Sequence, residues 1–433
     1  MRRPHGADVS YVYPAPVDEP NRAIGTASLL ALGVNGIVGV GIFFAPSALA
    51  AEVGATGSVL VLLAVAAALV PVALCFAILG KRFPVDGGPV AFARDAFGPR
   101  TAFAVGWLAY ASALFSSAAV VSGLVQATFG AGPKSTAIAV GAALVLAAIV
   151  ALGVDVSRRA WSTLTALKLA PLVALAFVSV VSTRVAEPAP ADAAVFTASG
   201  ALRAALTACF AFQGFEIIPV IAGQTKRVER AVPRAILGSL LFAAALYAVL
   251  QWGFVRSGVP LTSTEPLVDA GARLSGPRFG AVLRAGTSVS ALGIAFGMMV
   301  TTPRYLSAAT SGRLAATDPR GVPRRALFVT AVALVCLLTF ARLAELFVLS
   351  SLAVVIQYAA VALSLLRLAA RRRYGLGPKH YLPAIATLLF SVTLLGSPSA
   401  TEWRVFAALL VVGVFAYFFA GVRGGRRAHE PPP

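Results

Sequence analysis

The sequence predicts an all-α polytopic membrane protein of about twelve spans, and three observations carry that prediction. The 433 residues are 58% hydrophobic and only 12% charged, whereas soluble domains carry about 25% charged residues. Apolar runs near the length a bilayer requires recur from end to end. The Lys and Arg residues are sorted by side. With residues 1–23 as a polar tail, the spans fall near 24–50, 56–80, 101–129, 135–153, 160–182, 200–222, 232–255, 279–302, 326–341, 343–366, 381–397 and 403–421, before a tail at 422–433. On that arrangement 26 of the 36 Lys and Arg residues lie on the side of the termini and nine on the other, with Lys168 inside a span.

Basic loops remain cytoplasmic. The net charge of +19 therefore orients the chain in a cell membrane, both termini inside, and removes the nucleic-acid reading such a charge invites. Residues 1–23 lack the apolar core and cleavage site of a signal peptide, so the first span is expected to be retained. No gap between spans reaches the ~50 residues of a soluble domain. The stretch "PVDGGPVAFARDAFGPR" (84–100) sets an aromatic and alanine face against Arg94 and Asp95, an amphipathic interfacial helix. The loop at 261–280 has room for a short surface helix.

Cys75, Cys209 and Cys336 sit in apolar runs without CxxC or Cys/His spacing, so they read as small hydrophobes. No nucleophile–base set or metal spacing is present, and His5, His380 and His429 lie in tails or a loop. No enzyme, cofactor or metal site is expected.

Two spans break the helical rules. Span 1 holds "GVNGIVGVGIFFAPSALA", with Gly33, Gly36, Gly39 and Gly41 before Pro46. Glycine costs a helix interior about 1 kcal/mol and proline about 3. Span 6 holds Gln213, Gly214, Glu216 and Pro219 at its middle. Small residues also serve close helix packing, which suits Gly33 and Gly36. Interruptions in spans five apart, however, mark corresponding helices of two inverted halves and point to a substrate site between them. Unwound backbone at membrane depth is tolerated only where it is buried in protein or lines a cavity.

At this point the motifs resemble the amino acid–polyamine–organocation (APC) superfamily of permeases. "GxGIF" followed by proline in span 1, "FxGFE" in span 6, "KRVERAVPRAI" (226–236), "FPVDGGPVAFARDAFG" after span 2 and "YAAVALSLLRLAARRR" (358–373) occur in the family's order over residues 24–420. The resemblance implies a five-plus-five inverted repeat: one half near 24–182, the other near 200–370, and two added helices at 381–421. It implies an amino acid held by its α-groups at the two breaks. The N–H groups of Val40, Gly41 and Ile42 would open the outer half-helix and suit a carboxylate at its positive end. Carbonyls of Ile37 and of 210–213 in span 6, between Phe210 and Gln213, would accept the ammonium. Gly39 and Gly214 supply the unwinding. Phe212, Phe215, Gln357 and Ser350 are the expected side-chain selectors. Two departures stand out. Val40 occupies a position where some members carry serine, and Gln224 to Val228 replaces the family's usual Glu-x-Lys-Asn-Pro.

Lys168 lies nine residues beyond Arg159, hence about 13 Å deep at 1.5 Å per residue. A snorkelling lysine does not reach the surface from there, so the charge is a functional suspect. It resembles a helix 5 lysine that in some members stands where sodium sits in others. That likeness ties it to carbonyls near Gly36 and to Ser288 or Ser290, and makes the proton the coupling ion. Two readings fit Glu216: a cap for orphaned N–H groups at the helix restart, or the proton-responsive gate that the family's acidic residue implies. The expectation is a proton-coupled amino acid permease favouring neutral substrates. An exchanger of the same fold is the alternative, and a non-transporting receptor or assembly subunit is the reading from another class.

Overall fold

Fourteen α-helices make up the computed structural model, which describes residues 24–130, 132–153, 158–183, 196–310 and 314–419; the side chains of 158–166 and 419 are excepted. Both expected tails lie outside the described residues. Among these residues there is no strand, only one parallel bridge between Ile24 and Thr225. Seven helical stretches are long and apolar enough to cross a membrane, and three shorter apolar helices accompany them.

The glycine-rich first span is two helices. α1 (Thr26–Ile37) ends before a non-helical link at 38–40, and α2 (Gly41–Gly80) begins at the third residue of "GVG". α2 itself reverses at Gly54, where φ 73° and ψ 178° interrupt the helical backbone. Only glycine adopts that region at no steric cost, which is why the chain turns there between the two predicted spans. α3 (Pro89–Phe97) is the amphipathic segment: Ala91, Phe92, Ala93 and Ala96 are buried while Arg94 is exposed. α4 (Pro99–Phe129), α5 (Ser135–Ala151) and α6 (Arg158–Val181) follow.

The other broken span is α7 (Ala198–Phe212), and its continuation over Phe215–Gln224 is a 3₁₀-helix rather than an α-helix. Pro219 in that segment removes an N–H that an α-helical ladder would use, so the tighter form is accommodated. Then come α8 (Val228–Arg256), the short α9 (Pro266–Ser275) in the predicted surface loop, α10 (Pro277–Ala309), α11 (Arg324–Phe340), α12 (Leu343–Ala370), α13 (Tyr381–Leu395) and α14 (Ala400–Phe419).

α4 packs between α10 and α12, and α2 between α7 and α8, so the broken segments sit inside the bundle. Large apolar side chains remain exposed around its outside, among them Leu60, Phe177, Leu241, Phe328, Leu389 and Phe418. Patches of that kind suit a lipid environment, not water. At one end, carrying Lys81, Arg82 and the 371–373 arginines, Arg373 pairs with Asp95 at 3.1 Å. At the other, Arg203 bridges Glu52 (3.5 Å) and Glu402 (3.4 Å).

Replacing Gly54 with alanine forces a side chain into left-handed backbone. The detergent-solubilised protein should lose about 1 kcal/mol or more, read as a lower thermal midpoint in a thiol-reactive dye melt. An unchanged midpoint would mean that the turn does not depend on this glycine.

Candidate functional site

The last turn of any helix leaves carbonyls without intrahelical partners. α1 ends inside the bundle, so those carbonyls need partners from elsewhere. Val38 N–H donates to Val34 O at 2.8 Å, the first closing bond. Lys168 Nζ, from α6, donates to Asn35 O at 2.8 Å. Ile37 O accepts both Gly39 N–H (2.7 Å) and the Tyr247 hydroxyl of α8 (2.9 Å). A buried ammonium at a helix C-terminus is favourable to the helix dipole, and Lys168 is only 3% exposed. The Lys168 expectation thus takes a definite form, with Asn35 as the carbonyl. The predicted tie to span 8 is not formed. Ser288 donates to Ala127 O instead, and the Ser290 hydroxyl is buried without a partner.

The sequence leaves the Ile37 carbonyl open for an ammonium, but Gly39 N–H and the Tyr247 hydroxyl use both of its lone pairs. The reason is general: a carbonyl buried at this depth is rarely left unpaired.

The second break crosses the first. Gly36 and Gly214 meet backbone to backbone. A Cβ on Gly36 would lie 3.0 Å from Gly214 O, and one on Gly214 would overlap the Gly36 carbonyl carbon. Gly214 has φ 130°, a conformation side chains rarely adopt. Its N–H donates to Glu216 Oε2 at 2.8 Å, so Glu216 makes the capping contact at the restart. Gly36 keeps exposed surface, and Gly39, Gln213, Gly214 and Glu216 are half-buried. Water-reachable space therefore borders the crossing.

α2 begins beside the end of α7. A Cβ on Gly41 would come 3.0 Å from Ala211 Cα and 3.1 Å from the Phe210 ring. Val40, the N-cap of α2, offers no side-chain acceptor, and its side chain packs on Gly123 of α4. Among the described residues, the N–H groups of Val40, Gly41 and Ile42 and the carbonyls of Ala211 and Phe212 make no backbone hydrogen bond to another element. The donors of one helix start thus lie beside the acceptors of one helix end.

Neither predicted aromatic selector, Phe212 or Phe215, borders the break; the ring beside Gly41 is that of Phe210, expected only for its carbonyl. It stacks on Phe347 with centroids 4.4 Å apart. Phe212 packs on Tyr247 at 5.1 Å, while Phe215 packs on Phe76 and Tyr358 at 5.7 and 5.8 Å. Both are fully buried. Their ring partners on α8, α2 and α12 hold them in the core. Gln357 is buried on α12 two turns beyond Ser350, outside the polar contacts at the break.

Those contacts form a cluster that sequence reasoning found only in part. Ser350 Oγ lies 2.9 Å from Gln213 Oε1, 2.7 Å from Ser116 Oγ and 3.2 Å from Ser112 Oγ. Gln213 Nε2 donates to Ser351 Oγ at 3.2 Å. Nothing in the sequence singles out Ser112 and Ser116 beyond a spacing of four that places them on one face of α4.

On the basic end, the departure at Gln224 has a structural role. Ile24 N–H donates to Gln224 O (3.1 Å) and Lys226 N–H to Ile24 O (2.8 Å). Asp86 accepts from Gly223 N–H and Gln224 Nε2, both at 3.0 Å. Hydrogen bonds to one carboxylate and to backbone close this end without a salt bridge at Gln224.

An amino acid permease family profile matches residues 24–424. An uncharacterised transporter of Mycobacterium tuberculosis is 30% identical over 94% of this chain and 92% of its own. Cationic amino acid transporter 4 of Mus musculus is 28% identical over 66% of this chain and 49% of its own. A serine/threonine exchanger of Bacillus subtilis is 26% identical over 65% and 67%.

The crossing predicts a severe effect at Gly214. A Gly214→Ala protein should lose at least 2 kcal/mol, roughly, through clash and left-handed strain. Its melting midpoint should fall well below that of Gly39→Ala, where a Cβ meets nothing closer than 3.7 Å. Equal midpoints would refute the backbone contact with Gly36.

Proposed function

The chain belongs to the amino acid permease family, and from that premise we propose that it is a secondary active transporter of amino acids working by alternating access. The observation that carries the reading is the close approach of the α2 start at Gly41 to the α7 end at Ala211, where the N–H groups of Val40, Gly41 and Ile42 and the carbonyls of Ala211 and Phe212 make no backbone hydrogen bond to another element. Together they match the carboxylate and ammonium of an α-amino acid. A helix N-terminus favours an anion and a helix C-terminus a cation. Gly39, Gly41 and Gly214 hold this backbone open. Val40 leaves the carboxylate to backbone alone.

The proposed architecture is a twelve-span, five-plus-five inverted repeat, with α1 to α6 in one half and α7 to α12 in the other. α13 and α14 are added. The basic end faces the cytoplasm of a cell membrane, in keeping with the 26-to-9 split of Lys and Arg in the sequence. Its closure by Asp86, Gln224 and Ile24 corresponds to a state shut toward the inside.

Neutral substrates are favoured because Glu216 is the one carboxylate described at the breaks, and it is occupied by Gly214. The proton is the coupling ion. Lys168 holds Asn35 O through a charge-assisted hydrogen bond, about twice as strong as the one its neutral amine would donate, so loss of its charge weakens the cap that fixes α1 to α6. Exchange of two amino acids is the second reading, favoured by the serine/threonine exchanger among the relatives.

Uptake of labelled amino acids into proteoliposomes, with and without an inward proton gradient, tests the proposal. The gradient should raise uptake severalfold in the native protein and leave Lys168→Ala unmoved by it. Gradient-independent uptake that survives Lys168→Ala would defeat proton coupling. Acceleration by preloaded amino acid alone would favour exchange. If no amino acid moved or stabilised the protein, the transport reading would fall to the receptor reading.

A further inference from the structure

The groups at the breaks account for the α-carboxylate and α-amine, which every amino acid shares. Selection among substrates must come from what the side chain meets, and the structure places a cluster of neutral polar groups beside the breaks. Gln213 belongs to both. It is the residue that caps the end of α7, and its amide joins Ser112 and Ser350 through Oε1 and Ser351 through Nε2, while Ser116 joins the cluster through Ser350.

The cluster has hydrogen-bonding capacity to spare. The Ser350 hydroxyl has one hydrogen but three acceptors in range: Gln213 Oε1 at 2.9 Å, Ser112 O at 3.2 Å and Ser116 Oγ at 2.7 Å. Gln213 commits one amide hydrogen to Ser351, whose own hydroxyl is spent on Leu206 O. Ser112, Ser350 and Ser351 are buried, whereas Ser116 and Gln213 are half-buried, so the accessible face consists of one hydroxyl and one carboxamide. The Phe210–Phe347 stack connects Gly41 to this face, because Phe347 lies one turn before Ser350 and Ser351 on α12.

We propose that Ser116, Ser350 and Gln213 form a side-chain subsite that selects small neutral amino acids bearing a hydroxyl or carboxamide. The inference rests on the permease reading and narrows its substrate class. A hydroxyl or amide both donates and accepts, so it completes the cluster. A leucine or methionine side chain would seal the cluster from water and leave the second amide hydrogen of Gln213 unpaired, which discriminates against the analogue lacking the polar group. A lysine side chain finds no carboxylate in the cluster and an aspartate finds no cation.

Competition against labelled glycine uptake in proteoliposomes tests this with the native protein, using serine, threonine, asparagine, leucine, methionine and lysine as competitors. The best hydroxyl or carboxamide competitor should act at least tenfold more strongly than leucine or methionine, about 1.4 kcal/mol of discrimination. The Ser116→Ala/Ser350→Ala protein should lose most of that ratio, read as a KM change for serine larger than for leucine. Equal competition by serine and leucine in the native protein would overturn the subsite even if the double variant failed to fold. So would a serine-to-leucine ratio unchanged in a well-folded variant. If glycine and every competitor failed to enter, the permease reading itself would fall, an outcome distinct from transport without selectivity.

Discussion

The structure depends on how the α1 C-terminus is satisfied at membrane depth. A helix that stops inside a bundle exposes carbonyls where water is scarce, and each must find a donor. Lys168 from α6 and Tyr247 from α8 meet Asn35 O and Ile37 O. Those two bonds hold the end of α1 against two other helices. Without them the link at 38–40 would have no reason to persist, and the start of α2 would not be held beside Ala211.

The caps are unevenly distributed. The end of α1 is well supplied with donors, and Glu216 serves the Gly214 N–H at the restart after α7. The start of α2 and the end of α7 have no such service among the described residues. Structural demands therefore account for one pair of helix ends and leave the other pair open, one with donors and the other with acceptors. The contact of Gly36 with Gly214 brings the two pairs together, since any side chain at either position would push the broken segments apart.

The sequence discloses these features unequally. Gly39, Gly41 and Gly214 announce the breaks because glycine is costly in a helix and few other reasons place it there. Lys168 stands out as a charge in an apolar run. Ser112 and Ser116 do not, because a serine in an apolar helix ordinarily satisfies itself on its own helix, as Ser117 does on Ala113 O at 2.7 Å. Whether a hydroxyl turns outward to a neighbour is decided by packing between α4 and α12, at long range in sequence. The same applies to Phe212 and Phe215, which are held by rings distant in sequence, and to the Ile37 carbonyl, whose partner Tyr247 is 210 residues away. The 3₁₀ form of Phe215–Gln224 is likewise set by tertiary fit as much as by Pro219.

The most direct measurement of the central claim is a high-resolution cryo-electron-microscopy map of the protein with a transported amino acid bound. The account predicts ligand density at the crossing of the two broken spans. The carboxylate should lie within about 3 Å of the Val40, Gly41 and Ile42 nitrogens and the ammonium within a similar distance of the Ala211 and Phe212 oxygens, both ordinary hydrogen-bond lengths. Density for the amino acid away from both breaks, with those N–H groups and carbonyls still unoccupied, would contradict it.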